Sequence, residues 1–175
     1  MAKKLENIRE KAMIETRKVL EEQGYEMLTM RDIAKKCDIA VGTMYNHFPS
    51  KEYLTGCVVL EDWTAVYECM TGAASNADSI GRGIYDIYDM MCEFAAQHRY
   101  LTSFNSREAK TPCDFHERHT VLLKQIKALL EMLQKRFGYS VEDSITVFIA
   151  ESILSFSVKK YSYSQIAPAI MKLLN

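Results

Sequence analysis

The sequence predicts an all-α fold with a helix-turn-helix near its N-terminus, and three observations carry that prediction. Apolar residues recur at three- and four-residue intervals along most of the 175 residues, the period of amphipathic helices. Only 7 glycines and 3 prolines interrupt them, so long helices and few tight turns are expected. No polar–apolar alternation lasts beyond a few residues, so no strand is expected. Hydrophobic residues at 48% suffice for a sizeable core, and 26% charged residues is the composition of a folded chain.

The elements follow in order. Leu5, Ile8, Ala12, Thr16, Val19 and Leu20 share one helical face, and Gly24 stops a first helix spanning about 4–23. Thr29, with Asp32 three residues on, caps a short helix from Met30 to Cys37. Asp38 is the expected turn residue, since Asp tolerates left-handed backbone angles. Val41 to His47 reads as a second short helix, closed by Phe48 and Pro49. Ser50 caps a fourth, ending near Thr71, and residues 72–78, small and polar, are the expected loop. Ile84, Ile87, Tyr88, Met91 and Ala95 mark a fifth helix, and 99–110 an irregular stretch. Helices over 115–137, 141–160 and 164–174 complete the chain, the first stopped by Gly138. The expected domains are 1–54, a three-helix module, and 55–175, a second helical domain.

Composition excludes several classes. Five cysteines (Cys37, Cys57, Cys69, Cys92, Cys113) are scattered without a C-x-x-C pair, which reads as reduced thiols in the cytoplasm. The charged start lacks the apolar run of a signal peptide. The richest apolar run, 145–158, contains Glu151 and is too short to span a bilayer, so no membrane partner is expected. No nucleophile elbow, P-loop, zincin or Rossmann fingerprint is present, so neither an enzyme nor a cofactor is expected. Net charge is −1, and residues 1–54 carry ten Lys/Arg against nine Asp/Glu. Any nucleic-acid contact would therefore have to come from a local basic surface rather than from a polycationic domain.

Two short helices joined by a tight turn are the mechanical core of a helix-turn-helix, whose second helix enters the major groove. There, Gly42 permits close approach of the backbone, and Thr43 and Asn46 can hydrogen-bond base edges. Thr43 and Met44 can touch a thymine methyl. Tyr45 and His47 carry polar tips suited to phosphate oxygens, and Lys51 stands at a helix N-terminus that attracts anions.

Gly24-Tyr25, Thr29, Ile33-Ala34, Gly42-Thr43, Tyr45, His47-Phe48, Lys51-Glu52 and Leu54, in order and at matching spacing, resemble the TetR family of regulators over roughly residues 8–54. The resemblance implies a DNA-binding domain, a divergent ligand-sensing domain and a homodimer built on the last helices. It implies Thr29, Tyr45, His47 and Lys51 on phosphates, and Thr43, Met44 and Asn46 at or near bases. Arg31 and Gly42 complete the expected DNA-binding set. Two positions depart from the pattern: Asp38 where glycine is usual, and Ala40 where serine or threonine is usual. The missing hydroxyl at Ala40 removes a recognition-helix cap of about 1 kcal/mol. Phe48, Ile33, Ala34 and Leu54 are assigned to the core.

Beyond residue 55 the signals thin. The 141–160 helix is apolar on more than one face, which points to a homodimer interface shared with 164–174. A small-molecule effector site could draw on Trp63, Tyr88, Met91, Cys92, Phe94, Tyr100 and Phe104, although each also fits a core position. Cys113, His116 and His119 form C-x-x-H-x-x-H, which is not a standard zinc spacing and offers no fourth ligand, so no metal is expected. Taken together, the sequence reads as a repressor that binds a roughly palindromic double-stranded operator and leaves it when an effector binds. A helical scaffold or adaptor is the alternative.

Overall fold

The computed structural model describes residues 2–100 and 115–174, and all regular structure among them is helical. Helix α1 spans Ala2–Glu22, α2 Met30–Lys36, α3 Val41–His47, α4 Lys51–Asn76, α5 Ile80–Gln97, α6 Phe115–Phe137, α7 Asp143–Val158 and α8 Tyr163–Leu174. A 3-10 turn, Tyr25–Met27, joins α1 to α2 and follows Gly24, whose φ of 83° suits a residue without Cβ. The chain divides into two compact units, residues 2–62 with 99–100, and residues 63–98 with 115–174. The division falls inside α4, after the boundary at residue 54 that the motif suggests.

The first unit is built by α1, α2, α3 and the start of α4 around Ala12, Val19, Leu28, Ile33, Ala34, Met44, Phe48 and Leu54. The capping signals explain its short helices. Thr29 Oγ1 accepts the Asp32 N–H at 3.1 Å, and Ser50 Oγ accepts the Tyr53 N–H at 3.1 Å. The turn between α2 and α3 closes on Asp38 at φ 57°, with the Ile39 N–H on the Ala34 carbonyl and the Asp38 N–H on the Lys35 carbonyl. That double closure is the Schellman arrangement, with Asp filling the left-handed place that glycine usually takes.

The second unit packs α5 against α6, α7 and α8, with Ile84, Ile87, Ile126, Leu129, Leu130, Leu133, Ile149 and Ile153 at its centre. One buried polar pair crosses it: Gln134 Nε2 donates to Thr146 Oγ1 at 3.0 Å. The expected loop at 72–78 is largely helix. Thr71, Ser75 and Asn76 hydrogen-bond the carbonyls of Tyr67, Thr71 and Gly72, so side chains that commonly favour turns follow the helix backbone instead. Met70, Ala74 and Ala77 are buried on the same side, and that packing outweighs the cost of Gly72 in the helix.

Candidate nucleic-acid interface

Helix α3 presents two faces. Met44 is fully buried, and Phe48 just beyond the helix is too. Val41, Gly42, Tyr45 and Asn46 are exposed, and Thr43 and His47 are half-buried. One assignment is corrected here. Met44, expected near bases, sits at 0% exposure because its position on α3 turns it into the same buried cluster as Ile33 and Leu54 rather than outward. The helical period that exposes Tyr45 and Asn46 is what turns Met44 inward.

The neighbouring candidates line up as follows. Arg31 on α2 is exposed. Thr29 is exposed as well, but its hydroxyl is engaged within the chain, accepting from the Asp32 backbone and donating to the Asp32 carboxylate. Gly42 has open space on every side that a Cβ would occupy, so its backbone is accessible. Ala40 provides no side-chain cap to α3, as its methyl group dictates. Lys51 opens α4 with its ammonium 3.9 Å from the centre of the Tyr25 ring.

Two residues to which the sequence assigned no role, Arg9 and Tyr25, hold this surface in place. Arg9 on α1 donates from Nη1 to the His47 carbonyl at 2.9 Å, and its guanidinium lies 4.6 Å from the centre of the Phe48 ring. A cation there meets the negative end of α3 and one of its orphan carbonyls. Tyr25 donates its hydroxyl to Glu52 at 3.0 Å. Burial, followed by the Glu52 carboxylate, pushes the Tyr25 phenol well above its ordinary range. Nothing local in the sequence points to Arg9, since its partner lies 38 residues away.

The expected effector residues do not all come together. Trp63, Tyr88, Met91 and Phe94 are buried in the second unit, and Cys92 is half-buried there. Trp63 meets Phe94 edge-on at 5.2 Å and donates from Nε1 to Gln125 at 2.7 Å; Tyr88 donates to the Tyr161 carbonyl at 2.6 Å. Tyr100 instead belongs to the first unit, where it stacks on Tyr25. Phe104 and Cys113 lie outside the described residues, as does the side chain of His116. His119 Nε2 lies 3.1 Å from Glu151 Oε2, a link from α6 to α7. Among the described residues no three acidic, Cys or His side chains are grouped as a metal would need. Cys37 is buried, and that burial raises its thiol pKa despite nearby Lys11, so it lacks the character of a reactive thiolate. No helix among the described residues is long and apolar enough to cross a membrane.

Two short helices, a tight turn between them and an exposed face on the second define a helix-turn-helix. Residues 15–55 match the family described as bacterial regulatory proteins, tetR family. UidR of Escherichia coli K12, an HTH-type transcriptional regulator, is 41% identical over 46 residues, covering 26% of this chain and 24% of that protein. The chain thus spans about a quarter of that relative in the match. YuxN of Bacillus subtilis, an HTH-type regulator itself uncharacterised, is 26% identical over 93% of this chain and 60% of its own length. Whole-chain likeness is clear in the fold. A TetR-family regulator from Pectobacterium atrosepticum superposes with TM-score 0.73 at 19% identity, covering 99% of this chain and 95% of that one. RolR bound to resorcinol superposes with TM-score 0.71 at 18% identity, covering 100% and 91%. Residues 15–55 thus resemble the tetR family of bacterial regulatory proteins, and the chain as a whole shares the fold of these structures.

Proposed function

We propose that this protein is a ligand-responsive transcription regulator that binds a roughly palindromic DNA operator as a homodimer. The observation that carries the reading is the outward face of α3, where Gly42, Thr43, Tyr45 and Asn46 form a polar, accessible surface beside Arg31 and Lys51. Asn46 and Thr43 are of the length and chemistry to read base edges, whereas Tyr45, His47, Arg31 and Lys51 suit phosphate oxygens.

A homodimer is supported by α7. Its stripe of Ser144, Phe148, Ser155 and Val158 is exposed, with Phe148 61% accessible although the helix is among the most apolar in the chain. Small serines around one large aromatic suit close approach of a second helix, and a two-fold partner would cover the same stripe on both protomers. Two recognition helices about 34–36 Å apart would then reach successive major grooves. A small-molecule effector in the second unit is the reading of its aromatic, Met-containing interior, and RolR, a protein of the same fold, is solved in complex with resorcinol. KstR of Mycolicibacterium smegmatis, 55% identical over 31 residues, is a repressor, which favours repression for this chain as well.

The reading is tested with a duplex enriched from a random pool by the purified protein. Binding should weaken steeply with salt, with two protomers per duplex. Tyr45→Ala should weaken binding while leaving the dimer intact. Binding that ignores salt, or a Tyr45→Ala protein that turns monomeric, would remove α3 from the interface.

A further inference from the structure

Lys51 is only half-buried, and a lysine side chain on a helix end ordinarily samples many rotamers. Here its ammonium sits 3.9 Å from the centre of the Tyr25 ring, within the range of a cation–π contact. The ring is itself fixed twice. Its hydroxyl is tied to Glu52, the residue after Lys51, at 3.0 Å. Its plane lies within 8° of the Tyr100 ring, with centroids 5.9 Å apart. The 3-10 turn that carries Tyr25 starts immediately after the left-handed Gly24. The ring thus comes from the α1–α2 connection, Lys51 and Glu52 from the first turn of α4, and Tyr100 from the segment that follows α5.

We propose that Tyr25 and Tyr100 are positioning residues for DNA binding: together they form an aromatic rest that holds the Lys51 ammonium ready for a phosphate. The proposal rests on reading α3 and the start of α4 as the DNA surface. A pre-set ammonium loses less side-chain freedom when it meets the phosphate, and the ring face offers it attraction without removing its charge. Glu52 does a second job in the same place. It anchors the phenol end of the ring, which fixes the ring's tilt under Lys51.

Two measurements test this. In free protein the Lys51 Cε protons should resonate upfield of ordinary lysines because they lie over the ring; Tyr25→Leu should abolish that shift and Tyr25→Phe should keep it. On the duplex enriched by the wild type, Tyr25→Leu should weaken binding about two- to fivefold, the worth of an exposed cation–π contact. The same change in a Lys51→Ala background should cost nothing further, since the cation it places is gone. Tyr100→Leu should follow the same pattern with a smaller effect, and it keeps the cycle usable if Tyr25→Leu fails to fold. A Lys51 resonance at the ordinary position in wild type, or equal losses in both backgrounds, would overturn the proposal by making the tyrosines merely structural. Failure of the wild type to enrich any DNA would instead refute the DNA reading beneath it, while the Lys51 shift in free protein would be unaffected.

Discussion

Met44 and Asn46 stand two residues apart on α3 and meet opposite surroundings. Met44 is sealed in the core of the first unit, whereas Asn46 faces outward. Met44→Ala should therefore cost about 2–5 kcal/mol of stability in a denaturant titration. Asn46→Ala should stay within about 0.5 kcal/mol of wild type yet lose affinity and base preference for DNA. Glu52 supplies a pH signature. Burial alone would raise its pKa, but hydrogen bonds from its own N–H, Ser50 and Tyr25, with the Lys51 charge, outweigh that and hold it below the ordinary value. A carboxyl depressed in the folded state adds stability above its unfolded pKa, about 4.3, and loses it as pH falls through the folded value. Wild type should thus be more stable than Glu52→Gln near neutrality, and the two melting curves should converge as the pH drops below about 4. A gap that persists unchanged at acid pH would mean the carboxylate is not what stabilises this corner.

Individual helices show which signals a sequence carries and which it does not. The first four helix starts and stops near the motif were legible because each rests on local chemistry: Thr29 and Ser50 as caps, Asp38 as the left-handed turn residue. The end of α4 was not legible. Gly72 and the polar residues after it look like a loop, and only the burial of Met70, Ala74 and Ala77, supplied by distant parts of the chain, keeps them helical. Arg9 escaped notice, and Tyr25 was matched in the motif without a role, for the same reason, their partners being remote in sequence. Met44 was placed on the wrong face for a different reason, because a short amphipathic helix needs an inward face as well as an outward one. Two glycines separate local from tertiary effects. A Cβ on Gly72 would meet open space, so Gly72→Ala should stabilise α4 by up to about 1 kcal/mol. A Cβ on Gly83 would lie 2.5 Å from a methyl of the fully buried Leu133 and 3.2 Å from the Ala77 methyl. Gly83→Ala should destabilise by about 1–3 kcal/mol, because the fully buried Leu133 side chain would have to shift to make room. Thermal melts of the two variants, moving in opposite directions, check both.

For the whole molecule, charge is a poor guide and surface chemistry a better one. Net charge is −1, so nothing draws the entire chain to DNA. The case rests instead on one polar helix face and on an apolar residue left uncovered on α7. Phe148→Asp would put a charge at the centre of a two-fold contact and should yield a folded monomer in sedimentation experiments, with DNA affinity falling because one half-site is worth far less than two. A Phe148→Asp protein that remains dimeric would move the interface away from α7. The central claim, that α3 reads a two-fold symmetric DNA site on behalf of a dimer, is met most directly by selecting bound duplexes from a random pool at moderate salt and sequencing them. The expected result is an inverted repeat with half-sites about one helical turn apart, lost when Asn46 or Tyr45 is replaced by alanine. Enrichment of no sequence, or of one without two-fold symmetry, would contradict it.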